Sequence, residues 1–214
     1  MQAEYKCSLQ ALCDTGADDP LAAAPAIVTR SPMMKKKVGD KVSNVRLTAM
    51  DGSVFDLFSL KGRPYMLSFF RFASCPFCNL RMHELSSRFD ELGDQFTIIA
   101  IFDSPIDNLR AHADRHHSPF PVLADDRGVY YAQYGIEHSV AGVLKGMLLR
   151  MPSMLYALFG KGYWPLKIRG SMTTMPADFL VDETGVIRVA HYGRDEGDHM
   201  PFEKVKQFAI QPRV

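Results

Sequence analysis

Apolar residues run almost unbroken from Tyr65 to Phe72, then recur at four- and three-residue steps at Cys78, Met82, Leu85, Phe89 and Leu92. The first pattern is aromatic and has no polar face, which predicts a strand buried on both sides. The second is one stripe of an amphipathic helix, with Gly93 placed to stop it. Between them lie Ala73-Ser74 and then Cys75-Pro76-Phe77-Cys78. Two cysteines therefore sit where a buried strand hands over to a helix.

The rest of the chain repeats that alternation. Val45 to Ala49 and Val54 to Leu57 bracket Met50-Asp51-Gly52-Ser53, a hairpin signal. Phe96 to Phe102 reads as a second buried strand. Ser104-Pro105-Ile106-Asp107 supplies a cap, a first-turn proline and an acid for a helix to about His116, where cationic His116-His117 would suit the helix dipole. Phe120 to Ala124 is a third strand, and Val129 to Tyr134 a short helix ending at Gly135. Asp178 to Asp182 and Val186 to Ala190 form a second hairpin across Glu183-Thr184-Gly185. Pro201 to Ile210 closes the chain as a helix with Phe202, Val205, Phe208 and Ala209 inward. Strands alternating with helices predict an α/β architecture.

Two stretches depart from the alternation. Residues 1–37 show no sustained period and are expected to be a flexible tail, with Cys7 and Cys13 as free thiols on it and Lys35-Lys36-Lys37 as a solvated charge run. The domain proper is then 38–214, with an insertion at about 137–171. There Val140, Val143, Leu144, Met147, Leu148, Met151, Met154, Leu155 and Leu158 keep helical spacing. Lys145, Arg150 and Pro152 interrupt a barely sufficient length, which argues against a membrane span. The apolar stripe is expected to pack on the domain. A lid or a homodimer face is the alternative, because methionine-rich surfaces adapt to varied partners.

Composition adds exclusions. The 214 residues are 47% hydrophobic and 23% charged, as in globular proteins, and the formal net charge of +1 suggests neither a nucleic-acid nor a membrane partner. Four cysteines are too few for a disulfide scaffold at this length. Glu4, Lys6 and Asp14 interrupt the N-terminus, so no secretory signal is expected and a reducing, cytoplasmic setting is the default. In such a setting a Cys-x-x-Cys pair is more often catalytic or metal-binding than structural.

Position then assigns the chemistry. The first turn of a helix leaves N–H groups unpaired and carries the positive end of the dipole. Ser74 or Cys75 can serve as the N-cap, and Pro76 suits the first helical position. A thiolate at Cys75 would face those amides, and such cysteines reach pKa values of roughly 3.5–7.5, against about 8.5 for a free thiol. Cys78 lies one turn further in, on the buried stripe. It is expected to be less exposed and less ionised. Cys75 then attacks, and Cys78 resolves the mixed disulfide or sulfenic acid that results.

Three pieces together resemble the thioredoxin-like superfamily, and within it peroxiredoxin-like redoxins of the alkyl hydroperoxide reductase and thiol-specific antioxidant type. They are the strand–Cys75-Pro76-Phe77-Cys78–helix unit, Phe120-Pro121-Val122-Leu123-Ala124-Asp125, and Met175-Pro176-Ala177-Asp178-Phe179-Leu180-Val181-Asp182-Glu183-Thr184-Gly185. The resemblance implies a thioredoxin-like fold, a central mixed β-sheet flanked by helices. It also implies a cis Met175-Pro176 bond lying against the cysteines, with the Met175 backbone offered to an extended substrate segment. The pattern departs from the family in three places. The family's Thr position holds Phe72, its upstream Pro position holds Ser68, and its later Arg position holds Pro176. Arg71 or Arg169 are the candidates to replace that arginine in space.

Three functions stay open on these grounds. The first is a thiol–disulfide oxidoreductase acting on a disulfide-containing protein or small thiol. The second is a thiol peroxidase acting on hydrogen peroxide or organic hydroperoxides. The third is a non-enzymatic module, including a zinc-binding cysteine pair, although zinc needs four ligands and no second Cys-x-x-Cys exists. The enzymatic readings expect no cofactor and no metal, a thioredoxin- or glutathione-type reductant, and allow a homodimer. Asp103 is expected to be a turn residue, and Arg194 to make a surface ion pair.

Overall fold

The computed structural model describes residues 34–211. Cys7, Cys13 and most of the expected tail lie outside them. Seven strands, β1 (Arg46–Ala49), β2 (Val54–Asp56), β3 (Tyr65–Phe70), β4 (Thr97–Phe102), β5 (Val122–Ala124), β6 (Ala177–Val181) and β7 (Ile187–Tyr192), form one sheet in the order β2-β1-β5-β4-β3-β6-β7. Strand β3 runs parallel to β4 and antiparallel to β6, and β4 runs parallel to β5. The outer pairs are antiparallel, so the sheet is mixed. Around it lie α1 (Pro76–Ser87), α2 (Ile106–Ala113), α3 (Val129–Gln133), α4 (Val140–Leu149), α5 (Met151–Leu155) and α6 (Phe202–Ile210). This is the thioredoxin-like α/β arrangement that the resemblance implied.

The dense apolar run of β3 has a direct cause. Met66 and Phe70 point to one face of the sheet and pack with Cys78, Met82, Leu85 and Val205 of α1 and α6. Tyr65, Leu67 and Phe69 point to the other, with Tyr131 of α3 and Tyr134 at that helix's C-terminal cap. Alternating side chains of one strand thus enter two separate cores, so neither set can be polar. Ser68 is the exception. It faces Asp178 across the β3–β6 register and donates to its carboxylate at 2.5 Å. His199 Nδ1 (3.2 Å) and the Met200 N–H (2.7 Å) complete the shell. Burial pushes the Asp178 pKa up, but His199, Arg81 and the Ser68 hydroxyl prevail and hold it well below the ordinary carboxylate range.

Two local expectations need correction. The cysteine helix ends at Ser87, not Leu92, because Arg88 leaves helical geometry and Phe89–Leu92 form a 3-10 turn before Gly93 at φ 76°. Lys35 and Lys36 are not a free charge run: their ammonium groups lie over the Tyr192 and Tyr134 rings.

Phe69 makes edge contacts with Tyr131 (5.1 Å) and Phe179 (6.1 Å) and is fully buried. Phe69→Ala should lower unfolding stability by about 3–5 kcal/mol in urea melts, whereas Val54→Ala on the exposed edge strand should change it by less than about 0.5 kcal/mol. A similar loss for both would mean that β3 is not the centre of the cores.

Candidate active site

Strand β3 ends at Phe70, where the Tyr131 hydroxyl reaches the Phe70 carbonyl at 2.5 Å and the Ile101 carbonyl at 2.9 Å. That contact ties the ends of β3 and β4 together directly below the loop Arg71-Phe72-Ala73-Ser74. The loop is pinned by its backbone. The Cys75 N–H donates to the Phe72 carbonyl at 3.0 Å, and the Ala73 N–H donates to Ser104 Oγ at 3.0 Å. Asn79 Nδ2 donates to the carbonyls of Ala73 and Cys75, each at 2.9 Å. With its amide nitrogen so used, Asn79 presents Oδ1 to His116 Nε2 at 2.9 Å, which makes that nitrogen the donor. His116 is therefore not the surface cation expected at a helix end. Burial, helped by Arg115, pushes its pKa down to about 4, so the ring is neutral at pH 7.

Cys75 is the N-cap of α1 and Pro76 opens the helix. Both sulfurs are buried, with Cys75 and Cys78 each 0% exposed, so the expected difference in exposure is absent. The difference in ionisation is present, and its source is not mainly the helix amides. No side-chain cap bond forms at Cys75. Burial alone would push the Cys75 thiol up. The hydrogen bond from the Cys78 thiol and the Arg71 guanidinium outweigh it and bring the pKa down to about 7. Burial and the neighbouring Cys75 sulfur push Cys78 well above the usual thiol range.

Arg71 is the cation beside Cys75. Its Nη1 lies 3.5 Å from Cys75 Sγ and 3.1 Å from Glu196 Oε2, and its Nη2 donates to the Met172 carbonyl. The guanidinium also stands over the Phe72 ring, at 5.3 Å. Burial raises the Glu196 pKa and Arg71 counters it. Arg71 thus meets Cys75 as one of the two sequence candidates for the replacing arginine. Arg169 does not: its guanidinium pairs with Asp107 at 2.8 Å on the surface, and only its carbonyl turns inward, to Ser104 Oγ at 2.6 Å. Arg194 is exposed. Asp103 accepts from the Ser171 N–H (3.1 Å) and Thr174 Oγ1 (2.7 Å), so it ties the end of β4 to the chain before β6 rather than serving only its own turn.

Met175 and Pro176 are buried, but the bond between them is trans, against the expectation of a cis bond. The chain is already extended here. The Met175 N–H donates to the Glu137 carbonyl at 2.9 Å, the Ser139 N–H to the Thr173 carbonyl at 2.7 Å, and the Pro176 carbonyl accepts from the Gly193 N–H at 2.8 Å. Extended backbone is what a residue preceding proline prefers. The same bonds correct a second expectation. Residues 137–139 already pair with 173–175, so the Met175 backbone is not free for a substrate strand.

Residues 137–171 cover the site. On α4, a Cβ at Gly142 would lie 2.7 Å from Met175 Sδ, and one at Gly146 would lie 2.7 Å from Glu196 Cγ. Arg150 clamps the far end, its Nε donating to Asp195 Oδ1 at 2.6 Å. Gly170, at φ 115°, brings the segment back so close to the Asp103 carbonyl that any side chain would collide with it. The expected inward packing of the apolar stripe holds only in part: Met154 packs on the core beside α1, and Val143 and Leu158 are half-buried, but the leucines of α4 turn out. Leu144 and Leu148 are 64% and 73% exposed, while Gly142 and Gly146 face in. The helix lies too close to the site for its large residues to fit beneath it.

Sequence reasoning missed Glu196, Asn79 and Ser104. Asn79 stands four residues after Cys75, on the same helix face, and that spacing was a readable signal. Glu196 lies 125 positions from Arg71 and no sequence pattern links the two. Among the described residues no cluster of three or more His, Cys, Asp or Glu is arranged to hold a metal.

Residues 38–190 match the model of the AhpC/TSA family. No curated protein matches the chain in sequence. The peroxidoxin BcpB from Mycobacterium tuberculosis is similar in structure, with TM-score 0.60 and 18% identity over 82% of this chain and 99% of that one. A thiol peroxidase from Chromobacterium violaceum follows at TM-score 0.56 and 15% identity, covering 81% and 86%. A putative thiol:disulfide interchange protein DsbE from Chlorobium tepidum gives TM-score 0.54 and 18% identity, covering 82% and 99%. At such identities the likeness is one of fold.

Thiolate absorbance of the reduced protein should rise through a midpoint of about 7, with one thiol ionising well before the other. Arg71→Met should move that midpoint up, toward or beyond the free-thiol value of about 8.5, while Arg71→Lys, which keeps a cation, should move it less. An unchanged midpoint in Arg71→Met would remove Arg71 from the account.

Proposed function

The chain belongs to the AhpC/TSA family and is an oxidoreductase, and from that premise we propose that Cys75 and Cys78 are its redox couple, acting on a small hydroperoxide. The Cys75 thiolate attacks the distal peroxide oxygen. A sulfur–oxygen bond forms, the oxygen–oxygen bond breaks, and the departing alkoxide or hydroxide takes up a proton. Cys75 is then a sulfenic acid. Cys78 attacks it, a disulfide forms and water leaves. The couple has lost two electrons and the peroxide has gained them. An external reductant, a thioredoxin-type dithiol or two glutathione thiols, returns them to the Cys75–Cys78 disulfide by exchange, which requires a reducing compartment such as the cytoplasm.

The observation that carries this reading is Arg71 Nη1 at 3.5 Å from Cys75 Sγ inside a closed site. A fixed cation beside the attacking sulfur stabilises the thiolate and the charge that develops on the peroxide oxygens. Two buried donors of the same loop, Arg71 Nε and Ser74 Oγ, have no hydrogen-bond partner among the described residues. Peroxide oxygens are acceptors of the kind that would satisfy them. The complete burial of Cys75 and the internal pairing of 173–175 both favour a small oxidant over a protein disulfide.

Dithiol–disulfide exchange is the second reading. It is favoured by the single-turn Cys-x-x-Cys spacing and by the Cys78 hydrogen bond to Cys75, which need no peroxide-polarising groups. Rapid mixing separates the two. Reduced protein should consume hydrogen peroxide or an organic hydroperoxide at least about 10²-fold faster than a free thiol, and Arg71→Met should lose about 10²-fold of that rate. Cys78→Ser should stop the cycle at a sulfenic acid on Cys75 that dimedone traps. Peroxide consumption no faster than a free thiol's, together with rapid exchange with glutathione disulfide, would put the second reading in place of the first.

A further inference from the structure

Between Glu137 and Asp178 the chain contains no carboxylate, although Asp and Glu supply 24 of its 214 residues. The same stretch holds Lys145, Arg150, Lys161, Lys167 and Arg169. Arg150 and Arg169 are paired with Asp195 and Asp107. Lys145, Lys161 and Lys167 have no carboxylate partner among the described residues. A whole-chain charge of +1 therefore conceals a segment of one sign.

The same segment holds most of the large apolar side chains that the described residues leave exposed. Leu144, Leu148 and Leu149 stand out on α4, followed by Phe159, Trp164 and Leu166; Phe159 is 72% exposed and Trp164 47%. Glycines occupy the inner face of α4, and its outer leucines have no partner among the described residues. No helix among the described residues is long and apolar enough to cross a membrane.

We propose that the outer face of residues 140–168 docks on an anionic lipid bilayer. Leucine, phenylalanine and tryptophan would enter the boundary between headgroups and acyl chains, and Lys145 and Lys167 would meet lipid phosphates, while the Lys161 ammonium lies against His83 of α1 at 3.3 Å. Apolar and aromatic residues interleaved with cations, without acids, are the composition that lies in a bilayer interface without spanning it. The charge pattern disfavours a second copy of the chain. A two-fold interface sets a patch against itself, and here that would bring lysines against lysines with no carboxylate in the segment to answer them. The earlier expectation of no membrane partner rested on net charge and on the absence of a span, and neither describes this face.

Trp164 is the chain's one tryptophan, so its emission reports directly on the face. The reduced protein should co-sediment with vesicles of phosphatidylcholine and phosphatidylglycerol, with a blue shift of Trp164. Binding to phosphatidylcholine alone should be at least about 10-fold weaker, and raised salt should weaken the anionic case. Leu148→Glu with Phe159→Glu, and separately Lys145→Glu with Lys167→Glu, should each lower partitioning by about 10-fold or more while circular dichroism stays unchanged. Absence of partitioning into the anionic vesicles overturns the proposal. So does a dimer in sedimentation velocity that the same substitutions dissolve, which would assign the face to a second copy. Trp164 emission already blue-shifted in dilute, lipid-free protein and unmoved by vesicles would assign it to a segment of the chain itself.

Discussion

One guanidinium holds the site together. Arg71 lies on the loop between the central strand and the cysteine helix, and it reaches Cys75 Sγ, Glu196 and the Met172 carbonyl at once. A buried cation is costly unless it is paired and hydrogen-bonded. Each partner therefore does two things: it offsets the cost of burying Arg71, and it fixes the element that carries it. Glu196 brings in the loop after β7, and Met172 brings in the chain just after the 137–171 segment. The thiolate is the third partner, and its lowered pKa follows from the same arrangement.

The covering segment obeys a related constraint. A helix can pass close over a buried ion cluster only if its inner face is small. Gly142 and Gly146 meet that condition against Met175 and Glu196, and Gly170 meets it against Asp103. The consequence is a reversal of the usual amphipathic rule. The large apolar residues of α4 face outward because there is no room beneath them. Closure of the thiol site and the exposed apolar face thus have one physical cause.

Burial also decides which chemistry fits. In a dry site, the electrostatic effect of Arg71 on the sulfur is stronger than it would be in water. The same burial removes Cys75 from any large substrate while the 137–171 segment lies over it. The backbone edge at 173–175, where an extended peptide would otherwise pair, is taken by 137–139. Small oxidants are left as the substrates that need no rearrangement.

Much of the fold was legible along the chain. The period change at Cys75, the Asp-Gly hairpin, the second hairpin at Glu183-Thr184-Gly185 and the inward Phe202 and Val205 are local signals, and local signals survive in sequence because hydrophobic period follows backbone geometry. That two cysteines stand at a strand–helix junction was readable for the same reason. Their unequal ionisation was expected from a difference in exposure that is absent, and comes instead from the Cys78 thiol and Arg71 around Cys75. The partners of the sulfur were not readable. Arg71 was one of two arginines that the chain left open, and only packing separated it from Arg169. Glu196, the internal pairing of 173–175 and the trans Met175-Pro176 bond depend on segments that meet from distant parts of the chain. The direction of the apolar stripe on α4 was likewise undecided, since a helical period states that a face exists but not whether the core or the solvent receives it. Tertiary structure settled that point through the room available above Glu196, a quantity that no stretch of sequence contains.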